Sequence, residues 1–211
     1  CHGGQWQLLV INNSLIVEPV VDDSLPFEFV DGVLVLEAES FSSAVSRNGI
    51  SWDVVDSAMA SGGSFVSPLP NAGVNLQSKN ILTNASYVQY DIDFPVAGRY
   101  YLWLSSAVPS GADDSLYVGF DGVLVVGGMN VMGHRQPDFG WQGTIGHNDE
   151  RLFVDVDTPG VHQLQFFMRE DGFVLDRFAV ARDEAYVPGV VSVDVQEPVS
   201  GCQTDAQCVD E

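Results

Sequence analysis

Lysine is nearly missing. Lys79 is the only one in 211 residues, and Lys and Arg together number 8 against 29 Asp and Glu, a formal net charge of -21. A surface of that sign repels phosphodiesters and anionic lipid, so nucleic-acid and membrane-surface roles are not expected. It suits a cation-rich medium or a neutral partner, and it attracts calcium. Cysteine is scarce too. Cys1, Cys202 and Cys208 sit at the extremities, with none between Cys1 and Cys202. No second pair exists to make a zinc knuckle. Cysteines at the ends alone read as stapled linker segments of an exported protein, in which Cys202 and Cys208 can close a small disulfide loop. The odd thiol is then free or paired outside the chain. The first residue is Cys1 and no signal peptide is visible, so a mature or excised piece of a longer polypeptide is expected, a lipidated anchor at Cys1 being the alternative. No apolar run reaches the length of a membrane span. No window of ten or more residues shows the 3.6-residue period of a helix. The four His (His2, His134, His147, His162) lack metal-ligand spacing, and no Ser sits in a nucleophile-elbow pattern.

What is present fits a packed all-β domain. Apolar residues make up 45% of the chain and charged residues 18%, which supports a core. Tyr87–Phe94 alternates, with Val88, Tyr90, Ile92 and Phe94 on one face. In Arg99–Ser105, Tyr100, Leu102 and Leu104 point inward, and Tyr101 and Trp103 lie opposite. Ser51–Val55, Ser115–Phe120, Val123–Val126 and Arg151–Val156 read as further strands, with turns at Asp121-Gly122 and Thr158–Gly160. Trp52 reads as core. Long loops at 67–85 and 127–146 interrupt the strands, and loops of that length in a domain are usually functional or mobile. Short strands with turns about every ten residues predict an antiparallel β-sandwich over 33–183. Residues 1–32 read as an N-terminal extension packing on, or linking to, this core. Residues 184–211 read as a linker with a Cys-containing tail.

Met168–Ala181 reads as two strands joined by a tight turn at Asp171-Gly172. Period-2 alternation puts Asp176 on the apolar face of Val174, Phe178 and Val180, where a carboxylate is costly unless paired, hydrogen-bonded or bound to a cation. Glu37 and Glu39, two residues apart on the Val33–Glu39 strand, point to one side. With Asp176 they make a candidate hard-cation site. The alternative is two solvated acids plus an Asp held by backbone amides.

Several motifs in order resemble carbohydrate-binding modules of families 6 and 35: Glu37-Ala-Glu39-Ser-Phe41, Ser51-Trp-Asp-Val-Val55, Gly62-Gly-Ser-Phe-Val66, Tyr87–Tyr101 with its Pro-Val-Ala-Gly centre, Gly140-Trp-Gln142, Pro159-Gly-Val-His162 and Leu175-Asp-Arg-Phe178. The resemblance spans residues 33–183. It implies a jelly-roll sandwich that binds polysaccharide without catalysis, and a structural calcium held by Glu37, Glu39 and Asp176. It also implies a sugar site in the loops at one end, with Trp141 stacking on a pyranose and Glu170, Asp171, Arg135 and Asn75 binding hydroxyls. The loop 67–85 is long and poor in aromatics, so no second stacking residue stands out there. Trp103 is either packed under a loop or the N-terminal extension, or marks a second site on the sheet face.

The expected function is therefore that of a secreted or cell-surface, monomeric, non-catalytic module that targets a larger multimodular protein to a polysaccharide. The rival within binding proteins is a calcium-stiffened adhesion or scaffold module without a working sugar site. Glu170-Asp171 as an acid/base pair is disfavoured, because an exposed turn does not raise a pKa by burial.

Overall fold

The computed structural model describes residues 6–11, 14–19, 27–108, 110–125, 130–146 and 150–189. The three cysteines lie outside these residues. The chain divides into two units, the smaller holding residues 6–11 and 14–19 and the larger all the described residues from 27 to 189. In the smaller one, β1 (Trp6–Ile11) and β2 (Ser14–Pro19) pair antiparallel.

The larger unit holds β3 (Val33–Glu37), β4 (Ser43–Val45), β5 (Ser51–Asp56), β6 (Ser64–Leu69), β7 (Tyr87–Phe94), β8 (Gly98–Ser106), β9 (Ser115–Phe120), β10 (Val123–Leu124), β11 (Val131–Met132), β12 (Gly140–Gln142), β13 (Phe153–Val156), β14 (Gly160–Met168) and β15 (Leu175–Ala181). One antiparallel sheet runs β10-β9-β14-β7-β4, with β11 also on β9. The other runs β12-β8-β15-β6-β5, with β13 on β8 and β3 on β15. The alternation in β7 is the cause of its place: Val88, Tyr90, Ile92 and Phe94 are all completely buried between the sheets. Tyr100, Leu102 and Leu104 of β8 meet them from the other side, and Trp52 is core as expected. Tyr90, Phe166 and Phe178 pack edge to face, and the Tyr90 hydroxyl donates to the Ala38 carbonyl at 2.6 Å. Burying each such side chain contributes about 2 kcal/mol or more.

Three departures from the sequence pattern matter for the site. First, β14 and β15 are not a hairpin. β14 pairs with β7 and β9, whereas β15 pairs with β3, β6 and β8, so the Asp171-Gly172 turn carries the chain from one sheet to the other. At the true hairpin turn, Asp121 and Gly122 both have positive φ; here only Gly172 does. Second, a β-bulge between Leu175 and Arg177 resets the alternation of β15. Leu175 and Phe178 stay in the core, and Asp176 turns to the outer face beside Ser105, not to the apolar face. Third, the loop 67–85 contains a short helix, α1 (Ile81–Asn84), whose Ile81 packs with Ala85, Tyr117 and Phe167 over the outside of the first sheet. The larger unit also begins before Val33: Phe27 bridges Ile92, and Val30 pairs with Val33. At the other end, residues 183–189 lie against the second sheet, with Tyr186 half-buried and Pro188 buried. No described helix is long and apolar enough to cross a membrane.

The β9–β10 turn is pinned by an ion pair. His162 Nδ1 lies 2.6 Å from Asp121 Oδ2 and its Nε2 lies 2.8 Å from the Thr158 carbonyl. Burial opposes charge on the ring, but the bonds to Asp121 and Thr158 outweigh it and hold the pKa above the ordinary 6.5. A raised folded-state value means that the contribution is complete below about 6.5 and fades as pH rises through the higher folded value. The wild type is expected to lose unfolding midpoint across that interval relative to His162→Gln, in melts at matched salt. Parallel curves would contradict the charged pair.

Candidate functional site

The acids of the predicted cation site do converge. β3 ends at Glu37, and a 3-10 turn, Ala38–Ser40, carries Glu39 beside it. The Ser61–Gly63 turn closes over both: a Cβ on Gly62 would sit 3.0 Å from Glu39 Oε1 and 3.4 Å from Glu37 Cδ. Asp176 reaches the same turn from β15, accepting from the Ser61 amide at 2.7 Å and Ser105 Oγ at 2.9 Å. Ser61 Oγ donates to Glu37 and Ser64 Oγ to Glu39, each at 2.7 Å. Burial raises the pKa of Glu37, and Asp176 and Glu39 push it further against the Ser61 bond. Burial likewise raises Asp176 against its bonds from Ser105 and Ser61. Glu37 Oε2 and Glu39 Oε2 are buried and accept no hydrogen bond. Among the described residues, no three His, Cys, Asp or Glu side chains already form a metal cage. Two orphaned carboxylate oxygens in an all-oxygen donor set nonetheless fit a hard cation, since buried acceptors seldom stay unpartnered.

A second cluster surrounds the sheet-crossing turn. Asp171 is completely buried, and its carboxylate accepts from the Ala72 amide at 2.6 Å and the Val74 amide at 2.8 Å. This turn is not exposed, contrary to the sequence pattern. Asp171 organises loop 67–85 from inside and does not meet solvent, where a sugar hydroxyl would be. Glu170 is 2% exposed. Its carboxylate accepts from the Ser115 amide and hydroxyl at 3.0 and 2.9 Å, from Asn75 Nδ2 at 2.7 Å, and from Arg169. Arg169 also donates to Ser115 Oγ. Across from it, the exposed Arg135 pairs with the buried Asp114 at 3.3 Å. Arg135, Arg169, Asp114 and Glu170 line a polar cavity of about 290 Å³ with Gly111, Asn130 and Met132.

The structure thus brings Arg135, Glu170 and Asn75 together, with Asp171 behind them. Arg169 and Asp114 are additions that sequence spacing did not single out, although Arg169 adjoins Glu170 in the chain. Trp141 is elsewhere. It lies on β12 opposite Ser105, half-buried on the outer face of the second sheet, with the Arg177 guanidinium 5.2 Å over its ring.

The family model of the glycosyl hydrolase family 115 C-terminal domain matches residues 27–188. An uncharacterized protein of Formosa agariphila, P23, is 28% identical over an alignment of 203 positions that covers 81% of this chain and 49% of that protein. The chain spans about half the length of this curated relative. Among solved structures, the Podospora anserina GH26-CBM35 β-(1,4)-mannanase superposes with a TM-score of 0.51 at 14% identity over 75% of this chain and 29% of that one. CBM35 from Paenibacillus barcinonensis gives 0.49 at 14% identity, over 71% and 98%. The C-terminal CBM6 of LamC from Zobellia galactanivorans gives 0.47 at 16%, over 71% and 99%. The fold is the β-sandwich of carbohydrate-binding modules of this type.

Proposed function

Because the chain belongs to the glycosyl hydrolase family 115 C-terminal domain family, we propose that it is a non-catalytic module that binds polysaccharide and directs a larger extracellular protein to it. The observation that carries this reading is the cavity in which Arg135 and Arg169 face each other, each fixed by a buried carboxylate. Guanidinium groups anchored in this way present their remaining N–H donors rigidly, which suits sugar hydroxyls. A volume of about 290 Å³ is at the small end of ligand sites and takes one sugar residue at a chain end. Four donors aim at Glu170, so it has no free lone pair for a reacting group, and Asp114 is held by Arg135. That favours binding over acid/base chemistry.

Glu37, Glu39 and Asp176 are proposed to hold a structural calcium, which would neutralise the two oxygens that accept no hydrogen bond. Flanking modules on the same polypeptide and a monomeric state complete the proposal.

The test is affinity electrophoresis of wild type and Arg135→Ala on plant, algal and microbial polysaccharides. Although Arg135 is exposed, the variant leaves the buried Asp114 without its partner, so a modestly lowered midpoint is expected together with a loss of about tenfold in affinity, the worth of one charge-assisted bond, measured well below that midpoint. Unchanged retardation would move the site. Retardation by no glycan would favour the adhesion or scaffold reading.

A further inference from the structure

The cavity between Arg135 and Arg169 is charged but balanced. Each guanidinium is matched by one buried carboxylate, Arg135 by Asp114 at 3.3 Å and Arg169 by Glu170. The rest of the lining, Gly111, Asn130 and Met132, carries no charge. Behind the wall, Asp171 is satisfied by the amides of Ala72 and Val74 and not by a cation. Two guanidiniums against two carboxylates leave no net charge at the cavity surface, with a further negative charge one layer back, in a chain of net charge -21. The pairing of Arg135 is built into its surroundings. A Cβ on Gly111 would lie 2.8 Å from Arg135 Nη2 and 3.7 Å from Asp114 Oδ2, so a residue without a side chain lets the guanidinium come down onto this carboxylate.

An entering carboxylate has two courses. It shares a guanidinium with Asp114 or Glu170, which sets like charges side by side, or it displaces one of them and leaves a buried acid without its partner. Both courses oppose binding. A hydroxyl meets neither difficulty, because it accepts from one neighbour and donates to the other. The site already holds such an arrangement. Ser115 Oγ accepts from Arg169 and donates to Glu170 Oε2 at 2.9 Å. A sugar hydroxyl would repeat it between Asp114 and Arg135, whose side chain is exposed.

On the reading of this cavity as the sugar site, we infer that it takes an uncharged sugar in preference to the corresponding uronate, and that Asp114 enforces the choice. Glu170 is closed off by donors from Asn75, Ser115 and Arg169, whereas Asp114 faces the exposed Arg135. Asp114 thus neutralises the one guanidinium that a sugar carboxylate could otherwise reach from solvent.

The test titrates the labelled protein with the methyl glycosides of glucose, galactose and mannose, each against the methyl glycoside of its uronic acid, at neutral pH and about 0.1 M salt, where charges beyond the cavity are screened. At least one neutral glycoside is expected to move the amides of Gly111, Arg135 and Arg169, and its uronate to bind about tenfold more weakly. Asp114→Asn keeps the shape of the side chain and releases Arg135, so the uronate is expected to gain about tenfold relative to its neutral partner. A folding defect would weaken both glycosides together, so it cannot imitate that gain, and the wild-type comparison stands without the variant. A uronate that binds wild type as tightly as its neutral partner, or a preference that survives Asp114→Asn, overturns the inference and leaves the sugar site in place. Unmoved amides with all six glycosides remove the cavity as a sugar site, and the inference with it.

Discussion

Asp171→Ala is expected to lower the unfolding midpoint by roughly 10 °C. The side chain has no solvent exposure, and its two oxygens satisfy the amides of Ala72 and Val74. These two bonds, together with the pairing of the Gly172 amide to the Pro68 carbonyl at 2.8 Å, tie loop 67–85 to the sheet crossing. Alanine would leave two buried N–H groups without acceptors, at a cost of about 1–3 kcal/mol each. A domain of this size moves about 2–4 °C per kcal/mol. Asn75 sits one residue beyond Val74, so the disturbed loop also loosens its bond to Glu170 and the cavity wall. Calorimetry checks the first part, and glycan affinity of the surviving fold checks the second. A shift below 3 °C would mean that water replaces the carboxylate, and Asp171 would then not be the organiser of this loop.

Calcium is expected to raise the midpoint by roughly 5–10 °C, and Glu39→Gln to abolish the response. At a hundredfold excess over its dissociation constant, a ligand that binds only the folded state adds about 2.7 kcal/mol. The pH dependence has a definite sign. Burial first, then the neighbouring acids, raise the folded-state pKa of Glu37 above the ordinary 4.5, and burial raises Asp176 above 3.8. For an acid with a raised folded value, protonated carboxyls favour folding at low pH, and that advantage is lost as pH rises through the folded value. In chelator the cluster therefore weakens the fold increasingly between the ordinary and the folded values, with no further loss above the folded one. A bound cation reverses this, so the calcium-dependent increment should grow with pH and then level off. Melting curves with calcium and with chelator from pH 4 to 8 measure it. Identical midpoints at every pH would remove calcium from the proposal and leave a hydrogen-bonded acidic cluster.

Much of the sandwich was legible because its strands obey simple alternation. Val88 through Phe94 and Tyr100 through Leu104 face the core as their spacing demands. The Asp121-Gly122 turn was legible because a two-residue hairpin needs positive φ at both positions. Asp171-Gly172 offers the same dipeptide, yet its meaning depends on Asp171 finding two amides that are about a hundred residues away in sequence. The bulge at Asp176 was equally invisible, since a single extra residue shifts the alternation without changing composition. Helix α1 has four residues, too few to show a period. The cavity was half legible. The motifs point to Glu170, Arg135 and Asn75, but Arg169 and Asp114 meet them only through loop geometry, and Trp141 lies on the second sheet beside Arg177, outside the cavity.

One sugar residue is proposed to bind between Arg135 and Arg169. Amide chemical-shift mapping, by titrating the labelled protein with an oligosaccharide of whichever polysaccharide retards it, tests this directly. Shifts are expected at Gly111, Asn130, Arg135 and Arg169, with the acidic cluster around Gly62 unmoved. Saturating shifts confined to other surfaces, with those four amides unchanged, would contradict it.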